Sequence, residues 1–137
     1  MSIEFHTKTL DKNQLKNELE FIAKYLLNSG ISECKILFGF GWGINYYPTN
    51  QWLPETILIG ELISKIHDVE TQNLGQLGKD DLFISLPSFE IKFCNDGDLH
   101  LSYSASSKQS SEILNRWQAL GFEPRESKPN KQLMRDC

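Results

Sequence analysis

The sequence predicts an α+β fold: a mostly antiparallel sheet, including a three-stranded meander over 82–103, with about three helices packed on it. Three observations predict it. Leu15, Leu19, Ile22 and Leu26 recur at three- and four-residue steps, which places them on one helix face. Residues 82–103 hold three short alternating stretches separated by turn residues, the pattern of half-buried strands. Two more apolar stripes at helical spacing, 59–66 and 113–120, flank that meander. The chain's 137 residues suit one domain with its own core, so 1–137 is expected to be a single domain with a flexible tail from about 129.

Each element follows from local chemistry. Residues 2–7 alternate, with Ile3 and Phe5 on one face and Glu4 and His6 on the other, as in a short strand. Asp11 and Gln14 have the spacing of a capping box, and Gly30 suits a left-handed residue past a helix end, so a helix is predicted over 11–29. Residues 34–44 read as a strand with Phe38, Phe40, Trp42 and Ile44 on one face and Gly39, Gly41 and Gly43 on the other. A strand so bare on one side marks a bulge or the close approach of another backbone. Pro54 is a good first helical residue, and Ile59, Leu62, Ile63 and Ile66 predict a second helix from there to about Val69. Residues 82–86, 89–94 and 99–103 form the meander, turned by Pro87-Ser88 and by Asn95-Asp96-Gly97-Asp98. A last helix is predicted over 107–120, closed by Gly121, with a strand to follow over 122–126.

Composition excludes several classes. Charged residues make up 23% and apolar ones 39%, which is folded rather than disordered composition. A net charge of −4 argues against nucleic acid as the main partner and fits a basic one. Cys34, Cys94 and Cys137 are widely spaced, with no C-x-x-C pair, so neither a disulfide framework nor a zinc site is expected. No signal peptide or membrane-spanning run is visible, and the expected location is the cytoplasm. No cofactor is expected. Nothing in the sequence speaks to oligomeric state.

Two regions look built for contact. The meander's geometry brings Asp80, Asp81, Asp96 and Asp98 to one end of the sheet, a negative corner suited to a basic protein partner. Turn chemistry accounts for the same residues, and the spacing is not that of a calcium loop. The second region is aromatic: Trp42, Tyr46, Tyr47 and Trp52 supply the side chains that interface anchors favour. Gly-x-Gly-x-Gly at 39–43 lacks the strand–turn–helix setting of a dinucleotide loop, and no Gly-Lys-Ser/Thr follows it. An alternative reading pairs His100 with Asp98, two residues apart on one strand face, and with Cys94 across the hairpin, as a small hydrolase or transferase. A third uses the aromatic residues as a ligand-binding module. Lys108, Glu112 and Arg116 on the last helix read as a solvated face.

Leu77-Gly78-Lys79-Asp80-Asp81-Leu82-Phe83-Ile84, then Phe93-Cys94-Asn95-Asp96-Gly97-Asp98-Leu99-His100-Leu101 and a helix bearing Trp117, resembles small bacterial immunity proteins. These neutralise the toxins of contact-dependent and secreted systems. The resemblance covers roughly the C-terminal half. It implies a compact, acidic, cytoplasmic protein without catalytic residues that covers a toxin's active or substrate-binding site. The class shares no motif, so it assigns no functional residue. The sequence therefore predicts a binding protein rather than an enzyme, with no metal site.

Overall fold

A computed structural model of the chain describes residues 2–39, 46 and 53–127. The chain runs through β1 (Ile3–His6), α1 (Lys12–Asn28), β2 (Glu33–Phe38) and β3 (Glu55–Leu58). A 3-10 turn (Ile59–Glu61) leads into α2 (Leu62–Thr71), followed by β4 (Leu82–Ser85), β5 (Glu90–Phe93), β6 (Leu99–Tyr103), α3 (Lys108–Ala119) and β7 (Arg125–Glu126). The strands form one sheet in the order β3-β2-β4-β5-β6-β1-β7, and every neighbouring pair is antiparallel. The expected class, sheet type and meander are all present.

The topology explains the helices. β1 and β2 run the same way with three strands between them, so the chain needs a long crossover, which α1 supplies. α2 likewise links β3 to β4 across β2, and α3 links β6 to β7 across β1. Register then sorts the side chains. Ile36, Ile84, Ile91, Leu101 and Phe5 lie in one row across the sheet, and Phe38, Leu82, Phe93 and Leu99 in the next. Apart from the half-buried Phe5, these rows join the buried faces of the helices, including Leu19, Ile22, Ile66, Ile113 and Trp117, in a single apolar core. The alternate residues, among them Glu4, His6, Phe83, Lys92 and His100, share the opposite face.

The helix ends follow their caps. Gln14 N donates to Asp11 Oδ1 at 2.8 Å and Asp11 N to Gln14 Oε1 at 2.9 Å, closing the capping box. Gly30 has φ +85°, and Ile31 N reaches back to Leu26 O at 2.9 Å. The serine-rich stretch supplies the cap of α3, where Ser107 Oγ accepts from Ser110 N.

One element differs from the sequence reading. Residues 55–58 form the edge strand β3, and the α-helix begins only at Leu62. Thr56 and Ile57 are β-branched, and pairing with β2 (Cys34↔Ile57, Lys35↔Thr56) takes up their backbone groups. The apolar stripe survives, with Ile59, Leu62, Ile66 and Val69 buried. β2 is described as far as Phe38. The remainder of the predicted strand, 40–44, and the tail from 129 lie outside the described residues. Gly39 does mark a close approach: its N donates to Asp81 O at 2.9 Å, and a Cβ there would stand 2.8 Å from the Phe83 ring.

Gly97 is the more demanding glycine. It has φ +86°, an added Cβ would lie 3.2 Å from Thr9 Cγ2 and 3.3 Å from Leu10 O, and its own carbonyl accepts Leu10 N at 2.9 Å. Gly97→Ala is expected to lower unfolding free energy by about 1–3 kcal/mol in denaturant titration. An unchanged midpoint would mean that the turn relaxes freely. Among the described residues no helix is long and apolar enough to cross a membrane.

Candidate functional site

The pairing Leu82↔Phe93↔Leu99 brings the start of β4 and the β5–β6 turn to the same end of the sheet. The four aspartates do meet there, but they differ in what they present. Asp81 is 1% exposed, and its Oδ1 accepts Asn95 N at 2.8 Å, tying the two ends together. Asp98 is 9% exposed. Asp80 is half-buried and caps its own loop, accepting Gln76 N at 2.9 Å. Asp96 alone of the four is exposed. The negative corner is therefore real, but two of its members are internal supports.

The titratable residues that matter most lie just inside this corner. On the face opposite the core, register sets His100 between Lys92 and His6. His100 Nδ1 stands 2.7 Å from Glu4 Oε2, and Nε2 stands 3.2 Å from Asp98 Oδ2. A carboxylate accepts only, so the ring satisfies both contacts best by donating from both nitrogens, as an imidazolium. Lys92 Nζ donates to the other oxygen of Glu4 at 3.2 Å. His6 lies alongside, its ring 5.6 Å from that of His100 and its Nδ1 2.8 Å from Ser127 Oγ.

The acidities follow from this geometry. Burial opposes the charge on His100, but its bonds to Asp98 and Glu4 outweigh that and raise it to about 9. The bond from His100 holds Glu4 down to about 2 against burial, with help from Lys92. Burial pushes Asp98 up, yet His100 and Asp96 leave it below the ordinary carboxylate value. Asp96 is exposed as a residue, but partial shielding of its carboxyl and then the neighbouring Asp98 push it up to about 6, against the Asp96 and Asp98 amides.

The alternative catalytic trio does come together. One ligand-type atom from each of Cys94, Asp98 and His100 lies within 4.8 Å of the other two. A general base needs an unprotonated nitrogen within reach of a substrate proton. A metal likewise needs a lone pair, and a His100 protonated at both nitrogens between its two carboxylates offers none. Cys94 is fully buried and engaged in an interaction of its own.

The aromatic region is only partly described. Trp42, Tyr47 and Trp52 lie outside the described residues. Tyr46 packs on the core, its ring 4.6 Å from that of Phe38, and its hydroxyl donates to Glu55 Oε1 at 2.8 Å. Lys65 Nζ sits 4.9 Å over the same ring. Tyr46 thus braces β2 against β3 and α2 rather than standing free as an anchor. A groove of about 470 Å³ between α1 and α2 has an apolar floor that includes Leu19 and Ile66. Its rim carries Lys12 and Lys16 but also Glu20 and Glu70, so it selects neither sign of ligand.

Sequence reasoning missed a second polar cluster. Glu18, 1% exposed, accepts from Trp117 Nε1 at 2.8 Å and from Arg116 Nε at 3.1 Å. Arg116 also lies 3.6 Å over the Phe21 ring, and Tyr25 donates its hydroxyl to Glu112. Arg116 therefore docks α3 onto α1, which corrects its reading as a solvated residue, while Glu112 and Lys108 are exposed as expected. The available signal was Glu18 itself, three residues after Leu15 and four before Ile22, on the apolar stripe. No family model matches the chain, and neither a curated protein nor a solved structure matches it.

Proposed function

We propose that the chain is a binding protein of the immunity type, a cytoplasmic protein that neutralises a cognate bacterial toxin by covering its active or substrate-binding site. The observation that carries binding over catalysis is the clamp on His100. The one imidazole beside an acidic pair is held by carboxylates at both nitrogens, and so serves as a fixed cation. The hydrolase or transferase alternative needs that imidazole as a base. The net charge of −4 and the exposed Asp96, with Asp80 beside the same corner, favour a basic toxin domain as partner and disfavour nucleic acid. In this reading Trp42, Tyr47 and Trp52 supply apolar anchors that slow release, and the acidic corner speeds encounter.

The test is expression of the neighbouring gene's product with and without this chain, followed by isolation of the complex. Expected results are growth arrest by the neighbour alone, relief by the chain, and a one-to-one complex whose association slows as salt is raised. Asp80→Asn with Asp96→Asn should slow association by roughly tenfold at low salt. A neighbour whose toxicity the chain does not relieve contradicts the reading. Relief with no salt dependence keeps the immunity role and removes the acidic corner from it.

A further inference from the structure

The sheet has two edges, and they are built differently. β7 closes one edge with two residues, Arg125 and Glu126, both charged and exposed. Short length and charged side chains keep a sheet edge from pairing with another chain. β3 closes the other edge with four residues, Glu55–Leu58, and among the described residues its only strand partner is β2. No lysine or proline interrupts it. Its single ionisable side chain, Glu55, is occupied within the chain: Tyr46 donates to Oε1 at 2.8 Å, and Lys65 Nζ lies 3.7 Å from Oε2. Leu53 and Leu58, at the two ends of β3, are 64% and 51% exposed, the highest values among the large apolar side chains described.

The backbone of this edge resolves group by group. Ile59 N donates to Ser32 O at 2.8 Å, so residue 59 faces β2. Alternation then turns the peptide groups of Ile57 and Glu55 toward β2, and those of Thr56 and Leu58 away from the sheet. The Thr56 and Leu58 side chains share the open face, and both are exposed. Two groups along the outer edge are not available for pairing. The Leu58 carbonyl accepts the first bond of the 3-10 turn, and Pro54 has no N–H.

We propose that β3 pairs antiparallel with β3 of a second copy, about a two-fold axis at Thr56, joining the two sheets into one. In this register Thr56 exchanges both backbone bonds with the partner's Thr56. Leu58 N donates to the carbonyl of the partner's Pro54. The engaged Leu58 carbonyl falls opposite the same proline, which has no donor to leave unpaired. Leu58 lies beside the partner's Pro54, and Glu55 opposes the partner's Ile57, so no like charges meet. A two-residue slip would aim the Thr56 N–H at a Leu58 carbonyl already engaged. In the single chain water meets these groups, so the driving force is the match of the edge to itself and not an unmet bond. A two-fold contact closes on itself and gives a dimer, not a filament. Four paired residues fall short of the roughly 800 Å² per partner of a stable interface, so the dimer forms only at high chain concentration.

The pairing does not rest on the immunity reading and is tested on the isolated chain. Sedimentation equilibrium from about 20 μM to about 2 mM is expected to show the average mass rising from one chain toward two. Over that range exchange of the Thr56 and Leu58 amides should slow by about threefold or more, while the Ile57 and Ile59 amides stay protected throughout. Thr56→Pro removes an outward N–H and leaves the β2–β3 ladder its bonds, so it should keep the fold and remain one chain at every concentration. Where Thr56→Pro disturbs the fold, Thr56→Lys decides. Its side chain stays in solvent, but the two-fold sets two ammonium groups opposite each other, and association should weaken several-fold. A mass fixed at one chain throughout overturns the proposal. So does a dimer whose Thr56 and Leu58 amides exchange as in dilute chain, or association unaltered by the variants. Slowing of these two amides only in complex with a different protein also overturns it, and assigns the edge to a strand of that protein.

Discussion

Glu18→Ala is expected to cost about 2–4 kcal/mol of unfolding free energy, with the fold retained. The carboxylate is 1% exposed and collects the indole N–H of Trp117 and the guanidinium of Arg116. Removing it leaves a donor unpaired on a tryptophan that is itself fully buried, and it frees the cation held over Phe21. Glu18→Gln keeps an acceptor for the indole but loses the charge, so it should cost about half as much. Denaturant titration of both variants checks the order. A loss below about 0.5 kcal/mol in Glu18→Ala would show that α3 docks without help from the buried carboxylate.

His100→Gln is expected to destabilise the chain by about 2–3 kcal/mol below pH 6.5, and by progressively less toward pH 9. The folded value of His100 is raised from 6.5 to about 9, so its contribution is complete below the first figure and lost as pH rises through the second. In the variant, Glu4 and the buried Asp98 lose the cation between them, leaving Lys92 beside Glu4 and His6 near Asp98 to offset them. Stability measured across this range should therefore lose its downward slope above pH 6.5. A penalty independent of pH would mean that the ring acts by packing and not by charge.

Local chemistry was legible in the sequence. The capping box of α1 stands in Asp11 and Gln14, and Asp96-Gly97 announces the β5–β6 turn. Alternation placed Glu4 beside His6, and His100 beside Asp98, on common strand faces. Long-range pairing was not legible. β1 reaches β6 from the other end of the chain, so nothing near Glu4 announces His100 as its partner. Residues 55–58 read as a helix start because β2, the strand that makes them extended, lies far upstream. The four aspartates look alike as letters; only the packed sheet distinguishes the buried Asp81 and Asp98 from the exposed Asp96.

A His100 fixed as a cation between Glu4 and Asp98 is what favours binding over catalysis. Nitrogen-detected NMR titration of its imidazole tests this directly. The expected result is a ring protonated at both nitrogens at neutral pH, with a midpoint near 9. A neutral ring at pH 7.5 with a midpoint at or below about 6.5 would contradict it, and would give the site back the base that catalysis requires.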